Sequence, residues 1–414
     1  MSLTNYINNK LCFSSLDLTS IANQFGTPAF IYCQDTIERN FLEYKSAFQN
    51  SENLVCYAVK ANSNLSILKL LKNLGSGFDI VSGGELHRVL QIGADPKKIV
   101  FSGVGKSSNE IETAIVNGIG SINIESDDEL QLVAQIAKHK QIQASVSLRV
   151  NPNVDPKTHP YIATGLKNSK FGVPIEDALS IYDKMAKSEY LKIIGVACHI
   201  GSQLQELNPF RQSVKEIIQL VRKIEANGIE IQRIDCGGGL GISYSGETIP
   251  CASELVAIMK KEIPGKYVIA IEPGRSIVGK SGVLLTKIEY IKPSSEKNFA
   301  IVDAAMNDLI RPSLYQADHE VLPCVESFKN GEPFDIVGPI CETGDWLAKN
   351  KSFSIKQGDY IAILDVGAYC FSMSSNYNSR PRAIELLVDK QKALRIIRKR
   401  ETLEELLANE MQLI

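Results

Sequence analysis

Leu54-Val55-Cys56-Tyr57-Ala58-Val59, then Ser63–Leu74, then Phe78-Asp79-Ile80-Val81 is the stretch on which the fold turns. Its two short runs are apolar and rich in β-branched and aromatic residues, as buried strands are, and the segment between them is longer and amphipathic. The same alternation continues down the chain. Further runs lie at Ile99–Ser102, Ser121–Ile124, Ser145–Val150, Ile193–His199, Ile231–Cys236 and Tyr267–Glu272, with helix-like segments at Ser107–Asn117, Asp127–Lys138, Glu176–Ser188 and Pro209–Asn227. Short strands separated by such helices indicate βαβ units and a parallel sheet. Two runs and six make eight, the number that closes a (β/α)8 TIM-type barrel; a doubly wound open sheet is the alternative.

A barrel gathers the C-terminal ends of its strands on one face, where barrel enzymes hold their chemistry. Here Lys60, Asp79, Ser102, Glu125, Arg149, His199, Asp235 and Glu272 each stand at or just after the end of a run. One polar strand end means little, because strands commonly run into polar loops; eight in succession mark a site. After Ser281 the rhythm changes. Val283–Ile291, Phe299–Asp303, Phe334–Val337, Tyr360–Val366, Ala383–Val388 and Ala393–Arg398 read as strands without long helices between them, which makes a second, all-β domain. Glu401–Leu413 reads as a short terminal helix with Leu403, Leu406 and Leu407 on one stripe, and Pro28–Cys33 as one more strand ahead of the barrel.

The bulk properties exclude several classes. A chain of 414 residues, 44% hydrophobic and 22% charged, has room for one large barrel and a companion domain. Its net charge of -2 offers nothing to nucleic acid or an anionic membrane. The nine cysteines are scattered, with no CxxC pair and no His/Cys cluster at metal spacing, which indicates reduced thiols in a cytosol and no metal site. Met1–Leu18 lacks the pattern of a signal peptide, and no apolar stretch is long enough to span a bilayer. The expectation is a cytoplasmic enzyme with a small-molecule substrate.

Lys60 ends a run that buries its neighbours and leaves its amine at the barrel mouth. Desolvation there favours the neutral amine that Schiff-base chemistry needs, although a lysine at a strand end also reaches ordinary solvent easily. Asp235-Cys236-Gly237-Gly238-Gly239-Leu240-Gly241 follows the seventh run, and Glu272-Pro273-Gly274-Arg275 follows the eighth. Glycines let backbone N–H groups converge on phosphate oxygens, and barrels often bind phosphate in the loops after strands seven and eight. Tight turns need glycine as well, and neither motif is a P-loop or a dinucleotide fingerprint. Glu272 closes an apolar run and needs a buried partner. A pyridinium N–H would serve, and so would Arg275 or another arginine. His199 could lie flat on such a ring, or simply be structural.

Together these segments resemble the alanine-racemase-like fold group of pyridoxal-phosphate enzymes and, within it, the diaminopimelate decarboxylases. The likeness is carried by Tyr57-Ala58-Val59-Lys60-Ala61-Asn62, Gly77-Phe78-Asp79 with Ser82-Gly83-Gly84-Glu85, and Arg149-Val150-Asn151-Pro152. It continues through His199-Ile200-Gly201-Ser202-Gln203 and the two glycine loops to Arg311-Pro312-Ser313-Leu314-Tyr315, Cys341-Glu342-Thr343-Gly344-Asp345 and Gly367-Ala368-Tyr369. It spans about Thr27 to Arg382, and the order of the motifs makes it specific.

The resemblance implies an α/β fold made of a (β/α)8 barrel over residues 36–280 and a second, C-terminal β-sandwich domain of residues 281–414 joined by residues 1–35. It implies pyridoxal 5'-phosphate as cofactor, bound covalently to Lys60, with Glu272 at the pyridine nitrogen and His199 against the ring. Gly238, Gly239, Gly274, Arg275 and Tyr369 would hold the phosphate with Ser202 close by, and Asp79 and Arg149 belong to the same cofactor set. Arg275, Arg311, Tyr315, Glu342 and Tyr369 would grip the far end of the substrate, meso-diaminopimelate, which keeps a carboxylate and an ammonium there; arginines suit the first and a carboxylate the second. Cys341 would return the proton after carbon dioxide leaves, and Cys341 with Glu342 would reach the site of a neighbouring subunit, making a homodimer obligatory. The product would be L-lysine, the end of lysine biosynthesis.

Other readings are a pyridoxal-phosphate decarboxylase of another basic amino acid (ornithine, lysine, arginine or carboxynorspermidine) and a non-catalytic carrier of pyridoxal phosphate. Cys341 could also be a small buried hydrophobe, and Arg311 a surface ion pair. The Pro and Gly content of Asn151–Ser169 is compatible with a loop that closes over the substrate.

Overall fold

The structure is a computed structural model that describes residues 3–49, 51–155, 169–326, 331–411 and 413–414. The chain divides into two compact units, one of Glu38–Ile242 and Thr248–Ser276, the other of Met1–Ile37, Ser243–Glu247 and Ile277–Ile414. Ser243–Glu247, which the strand rhythm leaves inside the barrel, thus groups with the second unit.

The first unit is a closed parallel barrel. Its strands in chain order are Leu54–Ala58, Gly77–Ile80, Ile99–Phe101, Ser121–Ile124, Ala144–Asn151, Leu191–Ala197, Arg233–Asp235 and Val268–Ile271. Each pairs with the next, the eighth pairs with the first, and the open doubly wound sheet is thereby excluded. The register lines up Ala58 with Asp79, and Ala197 with both Arg149 and Asp235, so these positions share one level near the C-terminal rim. Where the sixth and seventh strands meet, a Cβ on Gly195 would stand 1.9 Å from the Arg233 carbonyl oxygen, a contact only glycine permits.

The helices form where composition and caps allow. Leu65–Asn73 buries Ile67, Leu68 and Leu71 on one face, and Asn64 caps it by accepting from the Ser66 N–H at 3.0 Å. Ser108–Val116 opens on a capping box between Ser107 and Glu110. Four helices of eight residues or more escaped the sequence reading: Leu18–Phe25, Gln34–Ala47, Gly83–Gln91 and Ala252–Glu262. Gly83–Gln91 begins with two glycines that mask its start, yet the Ser82 hydroxyl accepts from the Glu85 N–H. Ala252–Glu262 buries Leu255, Val256, Ile258 and Met259.

The second unit is a sheet domain organised by the long strand Gly282–Lys292. The first half of this strand lies between Tyr360–Leu364 and Ala29–Cys33, and its second half pairs with Asn298–Val302. Ala29–Cys33 in turn pairs in parallel with Ile384–Val388. Ala29, Ile31 and Cys33, Val283 and Leu285, and Ile384, Leu386 and Val388 face one core by strand alternation, and the side chains between them, Phe30, Tyr32, Leu284 and Glu385 included, are buried on the other face. A three-stranded meander, Thr4–Ile7, Lys10–Phe13 and Leu16–Asp17, adds Leu11 and Phe13 to it. The terminal helix is shorter than its sequence suggests, Leu403–Leu407; Leu403 and Leu407 are exposed and Leu406 is half-buried.

Candidate active site

At the C-terminal end of the barrel lies a cavity of about 250 Å³ lined by Lys60, Val81, Ser102, Gly103, Asn123, Arg149, Phe171, Ala197, Cys198, His199 and Glu272. Five of the eight strand-end residues therefore meet in one place, and the other three stand behind them. Lys60 sits in the short turn Val59–Ala61 and forms an ion pair with Asp79, which is fully buried. Glu125 bonds Arg149 at 3.0 Å and accepts from the N–H groups of Gly103 and Gly172, so it sets the guanidinium rather than lining the cavity. Asp235 accepts from the Gly237 N–H at 3.0 Å and fixes the glycine turn.

The floor of the site is acidic. Glu272 makes a 3.5 Å contact with the Ser102 hydroxyl, and among the described residues it forms no ion pair with Arg275 or any other arginine. Burial pushes its carboxyl well above the usual range; the nearby carboxylates of Asp235 and Asp79 push the same way, and Lys60 and Arg149 oppose them. Burial raises Asp235 as well, against the pull of Arg233. Asp79 Oδ1 and Asn123 Oδ1 are buried without a hydrogen-bond partner among the described residues, so acceptor capacity remains for something placed in the cavity.

His199 accepts a hydrogen bond at Nδ1 from the Gly238 N–H, 3.1 Å away, so its other nitrogen carries the proton. Burial, then Arg149 and Lys60, hold it well below the ordinary histidine pKa, as a neutral ring. The glycine loops are close-packed. A Cβ on Gly238 would lie 2.1 Å from the Glu272 carbonyl oxygen, and Gly239, at a φ of +115°, has the Gly201 carbonyl 2.4 Å from where its Cβ would be. Gly274 meets Ala58 and Ala61 in the same way at 3.0 Å. Beside these loops Arg275 donates from Nη2 to the Ser202 hydroxyl at 3.1 Å.

The remaining candidates, Arg311, Tyr315, Cys341, Glu342 and Tyr369, belong to the second unit. Arg311 opens the helix Arg311–Tyr315 and is 5% exposed, which excludes a surface ion pair. The Ser313 hydroxyl ties that helix to the Gly344 carbonyl at 2.6 Å. Asp345 braces the loop before it by accepting from the Met306 and Ile340 N–H groups, both at 2.7 Å. On this loop Cys341 and Glu342 are exposed, so Cys341 is not a buried hydrophobe in this chain. Seven of the nine cysteines are buried, leaving Cys251 and Cys341 exposed. The Cys341 thiol and N–H both point to Asn378 Oδ1 at 3.4 Å, and the Tyr377 hydroxyl donates to Glu342. Tyr369 adopts a left-handed backbone, with φ +57°.

Asn123, Phe171, Tyr377 and Asn378 were not read as site residues from sequence. Asn123 had a signal, since strand alternation places it on the same face as Ser121 and Glu125. Phe171 lies under the Arg149 guanidinium at 4.8 Å, a contact that sequence spacing does not announce. Most of the Asn151–Ser169 stretch lies outside the described residues.

Comparison with known proteins agrees with this geometry. The family model described as "Pyridoxal-dependent decarboxylase, pyridoxal binding domain" matches residues 34–279. A diaminopimelate decarboxylase of Pseudomonas aeruginosa is 47% identical over 99% of both chains, and one of Neisseria meningitidis is 50% identical over 94% of this chain and 96% of its own. The crystal structure of Helicobacter pylori diaminopimelate decarboxylase complexed with L-lysine superposes with a TM-score of 0.92 at 44% identity, covering 96% of this chain and 100% of that one. The M. jannaschii enzyme, also in complex with L-lysine, gives 0.93 at 37% identity, covering 98% and 97%.

Proposed function

The chain belongs to the pyridoxal-dependent decarboxylases and, within them, to the diaminopimelate decarboxylase family, and from that premise we propose that it converts meso-2,6-diaminopimelate to L-lysine and carbon dioxide with pyridoxal 5'-phosphate as cofactor. The observation that carries this reading is that Lys60 and Glu272 line one cavity at the C-terminal end of the barrel. The residues present fit the cofactor. An amine able to bond its aldehyde, a protonatable carboxyl for its ring nitrogen, a neutral imidazole and two glycine loops all stand at the C-terminal end of one barrel.

When bound, the cofactor supplies an electron sink for the carbon that loses carbon dioxide. The protein does the rest. Lys60 would anchor the aldehyde, and Asp79 holds its amine in position. Glu272 holds a proton at the ring nitrogen, and His199, fixed by Gly238, presents an uncharged face to the ring. Gly238, Gly239 and Gly274 leave room for phosphate oxygens, with Arg275 and Ser202 supplying side-chain donors. Arg149, braced by Glu125, keeps positive charge beside the ring. Arg311 with Arg275 takes the far carboxylate and Glu342 the far ammonium, Tyr315 and Tyr369 completing the set.

The enzyme acts as a homodimer whose sites are shared, and this is supported by the exposure of Cys341 and Glu342 on a braced loop, where they face outward from their own chain. It works in the cytoplasm, a location that suits nine unpaired cysteines. No helix among the described residues is long and apolar enough to cross a membrane.

Carbon dioxide release from meso-diaminopimelate, L-lysine and L-ornithine tests the substrate. The expected result is turnover of the first at least about 100-fold above the others in kcat/KM, the scale set by losing a buried charged contact; comparable rates on L-ornithine would overturn it. Cys341→Ala is expected to lower kcat by about 10²-fold or more with cofactor absorbance intact. Mixing it with inactive Lys60→Ala subunits is expected to restore about a quarter of wild-type activity, because half of randomly paired dimers carry one complete site of two. No recovery on mixing would refute shared sites.

A further inference from the structure

Arg311 raises a question that the proposed role leaves open: what holds a buried guanidinium in place before a substrate arrives. Its Nη1 lies 2.8 Å from His319 Nε2, and its plane stands 4.8 Å over the Tyr244 ring. Its Nε is buried without a partner among the described residues. His319 is fully buried, and its Nδ1 lies 2.8 Å from the Leu364 carbonyl oxygen. The Tyr244 ring stands edge-on to the imidazole, with centroids 5.3 Å apart.

These contacts have one consistent direction. A carbonyl oxygen only accepts, so Nδ1 carries the imidazole proton; a guanidinium only donates, so Nε2 offers its lone pair to Arg311. The acceptor is itself fixed, because the Leu364 N–H is bonded to the Glu320 carbonyl at 2.8 Å. The partner's neutrality matters. A carboxylate in its place would hold Arg311 equally well but cancel its charge and compete with an incoming carboxylate. Asp365, whose carboxyl feels the Arg311 charge, is bonded instead by Lys280 at 2.7 Å. Arg311 is thus oriented by a neutral acceptor and an aromatic face, with no carboxylate in an ion pair with it and its Nε without a partner among the described residues.

We propose that His319, seconded by Tyr244, is the positioning residue that aims Arg311 at the far carboxylate of the substrate and so sets the preference for a carboxylate-bearing end over a bare ammonium. The inference rests on the reading of Arg311 given above. The test uses the pyridoxal-phosphate-loaded enzyme and two competitive ligands that differ in that carboxylate, L-lysine and 1,5-diaminopentane, together with kcat and KM on meso-diaminopimelate. His319→Asn can keep the bond to Leu364 but leaves nothing at the Nε2 position. It is expected to weaken L-lysine and raise KM by about 10-fold, the scale of one charge-assisted hydrogen bond, with 1,5-diaminopentane affinity and kcat nearly unchanged. His319→Gln returns an acceptor oxygen to that position and is expected to restore L-lysine affinity to within about threefold.

Unchanged L-lysine affinity in His319→Asn, or equal weakening of both ligands, overturns the proposal. Arg311→Met separates the two levels. If it abolishes the L-lysine preference while His319→Asn preserves it, the His319 role alone fails; if it too preserves the preference, the reading of Arg311 fails and takes the proposal with it. Should His319→Asn not fold, Tyr244→Leu carries the test, with an expected loss in L-lysine affinity of about threefold, the scale of one cation–π contact, and an unchanged affinity refuting the proposal.

Discussion

Lys60→Ala is expected to abolish turnover, by at least about 10⁴-fold in kcat, because no other residue can supply the covalent bond on which the chemistry depends. Borohydride reduction of the wild-type protein loaded with pyridoxal phosphate should leave the label on the peptide that contains Lys60 and on no other; label recovered elsewhere would refute the assignment. The variant has a second effect that must be separated from the first. Asp79 is fully buried and paired with Lys60, and one of its oxygens has no hydrogen-bond partner among the described residues. Removing the cation leaves a buried carboxylate uncompensated, which in a dry interior costs about 3–5 kcal/mol; the Lys60 side chain is 33% exposed, so solvent screening reduces that to about 1–2 kcal/mol. Lys60→Arg restores a cation for Asp79 but cannot form the bond. It is therefore expected to be as inactive as Lys60→Ala and more stable to urea. An active Lys60→Arg enzyme would disprove the covalent role, and equal stability of the two variants would disprove the ion pair.

Glu272→Gln is expected to act in opposite directions on the loaded and the cofactor-free protein. In the loaded enzyme a neutral amide no longer holds a proton at the ring nitrogen, and kcat is expected to fall on the order of 10²–10³-fold with KM little changed. In the cofactor-free protein the sign follows from the raised carboxyl pKa of Glu272. An unfolded glutamate ionises near about pH 4.3, whereas the folded one keeps its proton to higher pH, so the native state binds the extra proton. Stability attributable to this group therefore falls as pH rises above the unfolded value and levels off once pH passes the folded one. Glutamine never ionises. Cofactor-free Glu272→Gln should accordingly have the higher Tm at pH 8, with the difference vanishing toward about pH 4. A variant less stable than wild type at pH 8 would mean that the acidic floor is not strained in the absence of the cofactor.

Much of this site was legible before any coordinates because its chemistry sits at strand ends, and strand ends are where sequence periodicity breaks. Lys60, Ser102, Arg149, His199 and Glu272 could be picked out by counting runs, and they meet in one cavity. What periodicity does not encode is who stands behind them. Asp79 and Asp235 occupy the same kind of position as Glu272, yet one holds the amine and the other the glycine turn, a division settled by register between neighbouring strands. His319 and Tyr244 were passed over because neither belongs to a motif; they matter only through the side chain they hold. The N-terminal meander was missed although its turn residues were readable. Asn8-Asn9 takes left-handed backbone angles, φ +50° and +63°, as an asparagine pair between two short strands should. The Gly83–Gln91 helix was hidden by glycines that sequence scales count against a helix, while its cap argued for one.

The strand Ala29–Cys33 precedes the whole barrel in the chain, and both of its ladder partners, in Gly282–Lys292 and Ile384–Val388, follow the barrel. During translation, therefore, the barrel can close while the second unit still lacks the neighbours of its own middle strand. That strand waits, apolar and unpaired, until Gly282–Lys292 has left the ribosome, and gains its second neighbour only with Ile384–Val388. Truncation ahead of Ile384–Val388 would leave one edge of it open, so premature termination would be felt at residues 29–33 as much as where the chain is cut.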